Sequence, residues 1–139
     1  MNIKIGLDYY NVVTQFPDQC WELAWKVMVS GGEVYIISAV GHKRLKETGG
    51  LERYREEIEA WNIPNHETEI VVFDKEEDIP QLKLDVCKKY DIAIFIDDRP
   101  ETVKLLHENG IMALLCPKPS KKTEKKAEKE GFDHPPLFE

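Results

Sequence analysis

The sequence predicts one α/β domain, a three-layer sandwich around a mainly parallel central sheet. Five short segments rich in Ile, Val and Leu alternate along the chain with four amphipathic segments. Dense apolar runs are typical of strands that are covered on both faces. Strands that alternate with helices favour crossover connections within one doubly wound sheet. The length of 139 residues suits one domain, since a domain holds roughly 150 residues.

Five candidate strands follow from the apolar runs. They comprise residues 3–7, 34–38, 69–73, 92–97 and 111–115. Asp8 interrupts the first run before the apolar region of a signal peptide develops, so that run is assigned to the sheet.

Four candidate helices lie between these strands. Pro17 suits the first turn of a helix, and apolar side chains then recur at three- to four-residue spacing as far as Met28, before Gly31 and Gly32. The other helical segments are 51–61, closed by Pro64, the stretch from Pro80 to Cys87, and 100–107, ended by Asn109 and Gly110.

The composition changes after the fifth strand. Residues 1–119 are expected to form the core and residues 120–139 a charged C-terminal extension, in which five lysines and three glutamates lie between positions 120 and 131. The end of the chain contains Phe132, Leu137 and Phe138. We expect this end to fold back on the domain, because exposed apolar side chains favour association, with recognition of a partner as the alternative.

Charge, hydropathy and cysteine usage exclude several classes of protein. The net charge of −7 argues against general duplex-DNA binding, which needs a basic face. The longest apolar run, residues 111–116, is far shorter than the roughly 20 residues that cross a bilayer. Cys20, Cys87 and Cys116 are widely spaced, which favours reduced, buried thiols over a disulfide framework or a zinc site. A cytoplasmic location is expected.

Polar residues follow the predicted strands where those strands end. Asp8 follows the first strand, Ser38 closes the second, and Asp97 and Asp98 lie at the end of the fourth, with Lys83 on the preceding helix. Ligands of such sheets bind at the carboxyl ends of the strands. Gathered carboxylates repel one another unless a lysine or a cation lies among them, and Mg²⁺ prefers oxygen ligands. Taken singly, each residue is also a common helix cap or turn former.

In this order the motifs resemble those of the haloacid dehalogenase superfamily. Residues 5–14, IGLDYYNVVT, are similar to its first motif, an apolar strand followed by DxDx[TV], and residues 34–38, VYIIS, to its second. Lys83 matches the lysine of the third motif, and residues 94–100, IFIDDRP, resemble the acidic fourth motif. The resemblance covers residues 3–117 and is closest to the deoxyribonucleotidase-like branch.

The resemblance implies an Mg²⁺-dependent phosphate-ester hydrolase. Asp8 would attack phosphorus and form an aspartyl-phosphate, which divides one difficult displacement into two easier ones. Ser38, Ala39 and Lys83 would bind the phosphoryl group, with Lys83 offsetting charge on Asp8 and the phosphate. If Lys83 does not have this role, Lys88 is the alternative residue. Lys83 would then only increase the solubility of its helix.

The resemblance also implies a metal site. Asp8, the backbone carbonyl of Tyr10 and Asp97 would hold one Mg²⁺ ion, with water filling the remaining positions. Asp98 would contact the ion through water.

Tyr10 departs from the pattern of the superfamily. Its phosphatases usually carry a second aspartate there, which protonates the leaving group and activates water. A phenol, with an ordinary pKa of about 10, is a poor base at neutral pH, and loss of such catalysis costs about 10²- to 10⁴-fold in rate. Reduced activity is therefore expected. The alternatives are an inactive binding or regulatory protein and a 2-haloacid dehalogenase, which protonates no leaving group and needs no Mg²⁺.

The spacing of the motifs leaves no room for a cap domain over the site. An uncapped site is open to a phosphorylated small molecule or to the phosphorylated end of a macromolecule, unless another subunit of an oligomer closes it. His42, Lys43, Arg44 and Lys46 follow the second strand closely enough to line the mouth and attract phosphate. The alternative for this segment is a solvated loop.

Overall fold

A computed structural model describes residues 2–118 and confirms the predicted α/β sandwich. Its five strands form one all-parallel sheet in the order β3-β2-β1-β4-β5. The strands are β1 (Lys4–Asp8), β2 (Glu33–Gly41), β3 (Glu67–Phe73), β4 (Ile94–Asp97) and β5 (Met112–Leu115). The predicted extension at 120–139 lies outside the described residues.

Five helices connect the strands, one more than the sequence predicted. They are α1 (Pro17–Val29), α2 (His42–Thr48), α3 (Leu51–Glu59), α4 (Ile79–Tyr90) and α5 (Pro100–Glu108). The additional helix is α2, which takes the place of the solvated loop that was the alternative for this segment. Gly49 and Gly50, with φ angles of 97° and 106°, separate α2 from α3, because glycine adopts positive φ at little cost.

The strand β2 is also longer than predicted, so Ser38 does not end it. Pairing with β3 continues from Ser38 opposite Ile70 as far as Gly41 opposite Phe73. The backbone hydrogen bonds of this ladder carry the strand past Ser38. Asp8 pairs with Ile37, however, so Ser38 still lies close to the level at which β1 ends.

The three layers follow from two apolar clusters, one on each face of the sheet. On one face, Leu7 and Ile36 pack in a cluster with Tyr54 of α3 and side chains of α1. On the other, Ile37 and Phe95 pack in a cluster with side chains of α4 and α5. Alternate residues of β2 therefore serve opposite faces, which explains why the central strands are continuously apolar.

Residues 2–118 bear on the expectations about membrane-spanning segments and about the cysteines. In this part of the chain, no helix is long and apolar enough to cross a bilayer. Cys20 and Cys87 are buried and unpaired, as expected, whereas Cys116 is unpaired and only half-buried.

The close packing of β1 against the Phe95 ring gives a stability prediction. A Cβ atom on Gly6 would lie 2.5 Å from Cδ2 of Phe95, so Gly6→Ala forces these neighbouring strands to shift. We expect it to lower the free energy of unfolding by about 1–3 kcal/mol, as overpacking does, measured by urea denaturation. Adding Phe95→Leu should restore part of the loss. A Gly6→Ala protein as stable as the wild type would contradict this packing.

Candidate active site

Three carboxylates meet where the central strands end. Leu7 pairs with Ile96, so Asp8 and Asp97, which follow them, reach the same level of the sheet. One oxygen atom from each of Asp8, Asp97 and Asp98 lies within 4.8 Å of the others, and all three residues are buried. The structure therefore brings together the carboxylates that the sequence singled out.

Lys83 lies between two of these carboxylates. Its Nζ donates to Oδ1 of Asp8 at 3.0 Å and to Oδ2 of Asp97 at 2.6 Å, and the residue is only 1% exposed. Lys88 is exposed on the same helix, α4, and is not the lysine of this cluster. One ammonium group beside three carboxylates leaves excess negative charge when all are ionised.

Burial and neighbouring groups together shift the pKa values of the three carboxyls in different directions. Burial raises the pKa of Asp8 well above its usual range, which Lys83 only partly opposes and the Asp97 charge reinforces. Burial also raises the pKa of Asp97, again against the effect of Lys83. The pKa of Asp98 is lowered despite its burial, because Asn11 Nδ2 donates to Oδ2 at 2.8 Å and its carboxyl neighbours also bond to it. In the absence of a cation, Asp8 and Asp97 therefore ionise at higher pH than exposed aspartates do, and Asp98 ionises at lower pH.

Asp97 and Asp98 differ in their access to the cleft beside them. Asp97 is 0% exposed, and its oxygens accept from Lys83 and from the backbone N–H of Arg99, the latter at 3.0 Å. Asp98, together with Asp8, borders the cleft. The carboxyl oxygens available to a ligand thus belong to Asp8 and Asp98.

A tight turn, Tyr9–Val13, carries the chain from Asp8 over the cluster. Asn11 has a φ of 62°, a conformation that Asn tolerates better than most residues. Its backbone carbonyl accepts a hydrogen bond from Nε2 of Gln15 at 2.8 Å, while its side-chain amide donates to Asp98. Asn11 was not predicted as a site residue, and its tolerance of positive φ is the only signal that the sequence offers for its place.

A cleft of about 280 Å³ opens above the cluster. Its lining includes Ala39, Lys83 and Arg44, three of the residues that were predicted to bind substrate. The remaining described residues along it are Asp8, Tyr10, Asn11, Val40, Gly41, Tyr54, Phe73, Ile79, Asp98, Arg99 and Lys118.

Ser38 lies behind this lining rather than on it. The residue is 1% exposed, and its Oγ lies 2.7 Å from the Oη of Tyr54, which does border the cleft. Burial raises the pKa of Tyr54 to about 12, so its phenol is neutral at pH 7. Tyr54 was not predicted, because its place depends on how α3 packs on β2.

The Tyr10 phenol is held at the mouth of the cleft. Arg44 Nη2 donates to its Oη at 2.6 Å, and the same nitrogen lies 3.5 Å from Oε1 of Glu57. Tyr10 is 41% exposed. The position at which the resemblance implies an acid–base aspartate is thus occupied by a phenol bonded to an arginine.

The other basic residues after β2 have different surroundings. His42 Nε2 lies 2.7 Å from Oδ1 of Asp74, while Lys43 and Lys46 are exposed on α2. Among the described residues, Arg44 is the one from this basic group that lines the cleft.

Comparisons with protein families and with curated proteins identify no relative of the chain. No protein-family model matches the chain, and no curated protein matches it. The chemistry of the site must therefore be argued from its own residues.

The shifted pKa values predict how stability depends on pH when a chelator removes divalent cations. Unfolded aspartates lose their proton near pH 4, whereas Asp8 and Asp97 retain theirs to higher pH in the folded protein. The folded state then binds more protons, so its stability falls as the pH rises from about 4 through the raised pKa values. The lowered pKa of Asp98 has the opposite effect, but only below about pH 4.

Asp8→Asn should reduce this loss and raise the free energy of unfolding at pH 7, because it removes a carboxyl whose ionisation is opposed by burial. Urea denaturation between pH 4 and pH 8 measures the change, with Asp91→Asn, an exposed residue after α4, as the control. A less stable Asp8→Asn protein at pH 7 would contradict the assignment of raised pKa values to this pair.

Proposed function

We propose that this chain is an Mg²⁺-dependent hydrolase of phosphoric monoesters, with Asp8 as the nucleophile. The observation that carries the proposal is the Lys83 ammonium bound to both Asp8 and Asp97 within a buried carboxylate cluster beside a cleft. Buried charges cost free energy even when they are paired, and perturbed carboxyls in clefts are characteristic of functional sites. The ordered motifs that resemble the haloacid dehalogenase superfamily support the same chemistry.

The carboxylate cluster fits a divalent cation. Oxygens within 4.8 Å of one another suit a single Mg²⁺ ion, whose ligands lie at about 2.1 Å, and the excess negative charge favours a cation. Asp8 and Asp98 would hold the ion directly, together with the Tyr10 carbonyl. Asp97, whose oxygens are engaged by Lys83 and the backbone of Arg99, would instead fix Lys83. Bound there, Mg²⁺ would stabilise negative charge on the phosphoryl oxygens.

The residues of the chain would then act in two steps. The Asp8 carboxylate forms a bond to phosphorus as the bond to the leaving oxygen breaks, and that oxygen takes a proton from water. Water next forms a bond to phosphorus as the bond between phosphorus and the Asp8 oxygen breaks, and the water proton passes to solvent. Inorganic phosphate then leaves, and the Asp8 carboxylate is restored. Lys83 stabilises the phosphoryl charge in both steps, and the hydroxyls of Ser38 and Tyr54 lie at the same end of the sheet.

Several observations bear on substrate and location. Within residues 2–118, the chain from β1 to β3 contains only helices α1 to α3 beside β2, so the cleft stays open to a phosphorylated small molecule or macromolecule end. The three unpaired cysteines are consistent with the reducing cytoplasm.

A second candidate function is ligand binding or regulation without turnover. The phenol of Tyr10, bonded to Arg44 at 2.6 Å, supplies no carboxylate base beside Asp8. A third candidate is 2-haloacid dehalogenation. Halide leaves without taking a proton, so this reaction needs no acid–base carboxylate at the position of Tyr10. The next experiment separates all three.

Leaving-group dependence tests the hydrolase. If proton transfer limits the reaction, nitrophenyl phosphate is cleaved faster than alkyl phosphates, because its leaving anion needs no proton. Tyr10→Asp should raise kcat for alkyl phosphates by about 10²-fold or more, and Asp8→Asn should abolish both activities. Phosphate release with and without Mg²⁺ measures these rates.

Other outcomes favour the alternatives. If Tyr10→Asp and the wild type are as inactive as Asp8→Asn on every ester, the chain is a binding protein. Release of halide from 2-haloacids that requires Asp8 but not Mg²⁺ would identify a dehalogenase.

Calorimetry with Mg²⁺ distinguishes the roles of the two neighbouring aspartates. Asp98→Asn should weaken Mg²⁺ binding by about tenfold or more, because it removes a proposed ligand. Asp97→Asn should have the smaller effect, with Asp91→Asn as the exposed control. A larger loss in Asp97→Asn would assign Asp97 to the ion in place of Asp98.

A further inference from the structure

The cationic side chains along the cleft fall into two pairs. The four cationic residues in its described lining are Arg44, Lys83, Arg99 and Lys118. Lys83 is bound by Asp8 and Asp97, and Arg44 by Glu57 and the Tyr10 hydroxyl. The side chains of Arg99 and Lys118, in contrast, make no hydrogen bond or ion pair with any of residues 2–118. Two of the four cations are therefore available to a ligand.

These two cations lie on the same flank of the cleft. Arg99 connects β4 to α5, and Lys118 comes three residues after β5 ends. Because β4 and β5 are neighbours in a parallel sheet, both residues follow strand ends on the β5 side of Asp8. The residues Arg44, Tyr54 and Phe73 come from the segments that follow or end β2 and β3, on the opposite side.

Arg99 is poorly placed to remain without a partner. The residue is half-buried and lines the cleft, and a cation in such a place is stabilised by an anionic partner. Although Asp98 is its neighbour in sequence, the carboxyl of Asp98 binds Asn11 instead. A guanidinium pairs best with the two oxygens of a phosphate or carboxylate.

We propose that Arg99 and Lys118 bind a second anionic group of the substrate. The substrate class is then a phosphoric monoester that carries another phosphate or a carboxylate a few atoms from the scissile group. This assignment rests on the proposed function, in which Asp8 and Lys83 receive the scissile phosphoryl group near the middle of the sheet. The start of the nine-residue helix α5 at Pro100 adds a favourable dipole beside Arg99.

The test compares three substrates with a three-carbon chain. They are propyl phosphate, 3-hydroxypropionate phosphorylated on its hydroxyl, and 1,3-propanediol bisphosphate. They differ in whether the far end is neutral, a carboxylate or a phosphate. For each protein we take kcat/KM for the better of the two substrates with an anionic far end and divide it by kcat/KM for propyl phosphate. We expect Arg99→Gln and Lys118→Gln each to lower this ratio by about tenfold. Such a loss corresponds to one charge-assisted hydrogen bond. Lys104→Gln, an exposed lysine on α5, is the matched control and should leave the ratio unchanged.

Two results would overturn the proposal. If Arg99→Gln and Lys118→Gln lower kcat/KM equally for all three substrates, these cations serve the scissile phosphoryl group. If neither variant changes the ratio more than Lys104→Gln does, they bind no part of the substrate.

Binding by calorimetry, with Mg²⁺ present, keeps the two proposals separate. If the wild type hydrolyses none of the esters, the proposed hydrolase fails. Tighter binding of 1,3-propanediol bisphosphate or the carboxylate than of propyl phosphate, lost in Arg99→Gln and kept in Lys104→Gln, would still support the second anion site. Equal binding of all three ligands by the wild type would reject that site whether or not hydrolysis occurs.

Discussion

The ion bridge from Lys83 to Asp8 and Asp97 is the interaction on which the rest of the site depends. It joins α4, on one face of the sheet, to the ends of the two central strands β1 and β4. With Lys83 only 1% and Asp97 0% exposed, removal of the Lys83 charge would leave the buried carboxylates uncompensated, which is strongly destabilising. The positions of α4 and of both strand ends are therefore coupled to one buried lysine.

The two sides of the cleft differ in whether their charged groups have partners within the protein. On the α3 side, Glu57 accepts from the Tyr9 hydroxyl at 3.0 Å and pairs with Arg44, while Trp61 donates to Tyr9 at 3.0 Å. Every polar group named there is satisfied within the protein. On the β5 side, Arg99 contributes its backbone N–H to Asp97, but its guanidinium has no partner among residues 2–118. One wall of the cleft is thus internally neutralised, and the other offers positive charge to a ligand.

Sequence patterns were sufficient for the features that depend on local order. Dense apolar runs located all five strands, and the position of Lys83 within the first turns of α4 follows from Pro80. The end of β2 was misplaced, because pairing with β3 rather than residue type decides where it stops. The break between α2 and α3 was missed although Gly49 and Gly50 mark it.

Contacts between distant segments were beyond the reach of such patterns. Asn11 meets Asp98 across 87 positions, and Tyr54 meets Ser38 across 16. Asn11 is a common turn residue and Tyr54 a common core residue, so their residue types do not indicate a place in the site. Their roles become visible only from the packing of the layers. The inequality of Asp97 and Asp98 has the same origin, since the orientation of two adjacent carboxyls depends on Lys83 and Asn11, not on their order in the chain.

A purely structural role explains this cluster poorly. Apolar residues of similar volume commonly stabilise a fold as well as a buried ion pair does, and two of the three carboxyls here have raised pKa values because burial opposes their ionisation. Such a site lowers the stability of the metal-free protein and is relieved by a cation. Tyr10 separates that capacity from turnover, because its backbone carbonyl is unaffected by the change of side chain, whereas acid–base catalysis depends on the side chain alone. The cluster is thus suited to bind a cation with a phosphoryl group whatever the rate of hydrolysis, and in the proposed hydrolase the rate would depend on Tyr10 at the mouth of the cleft.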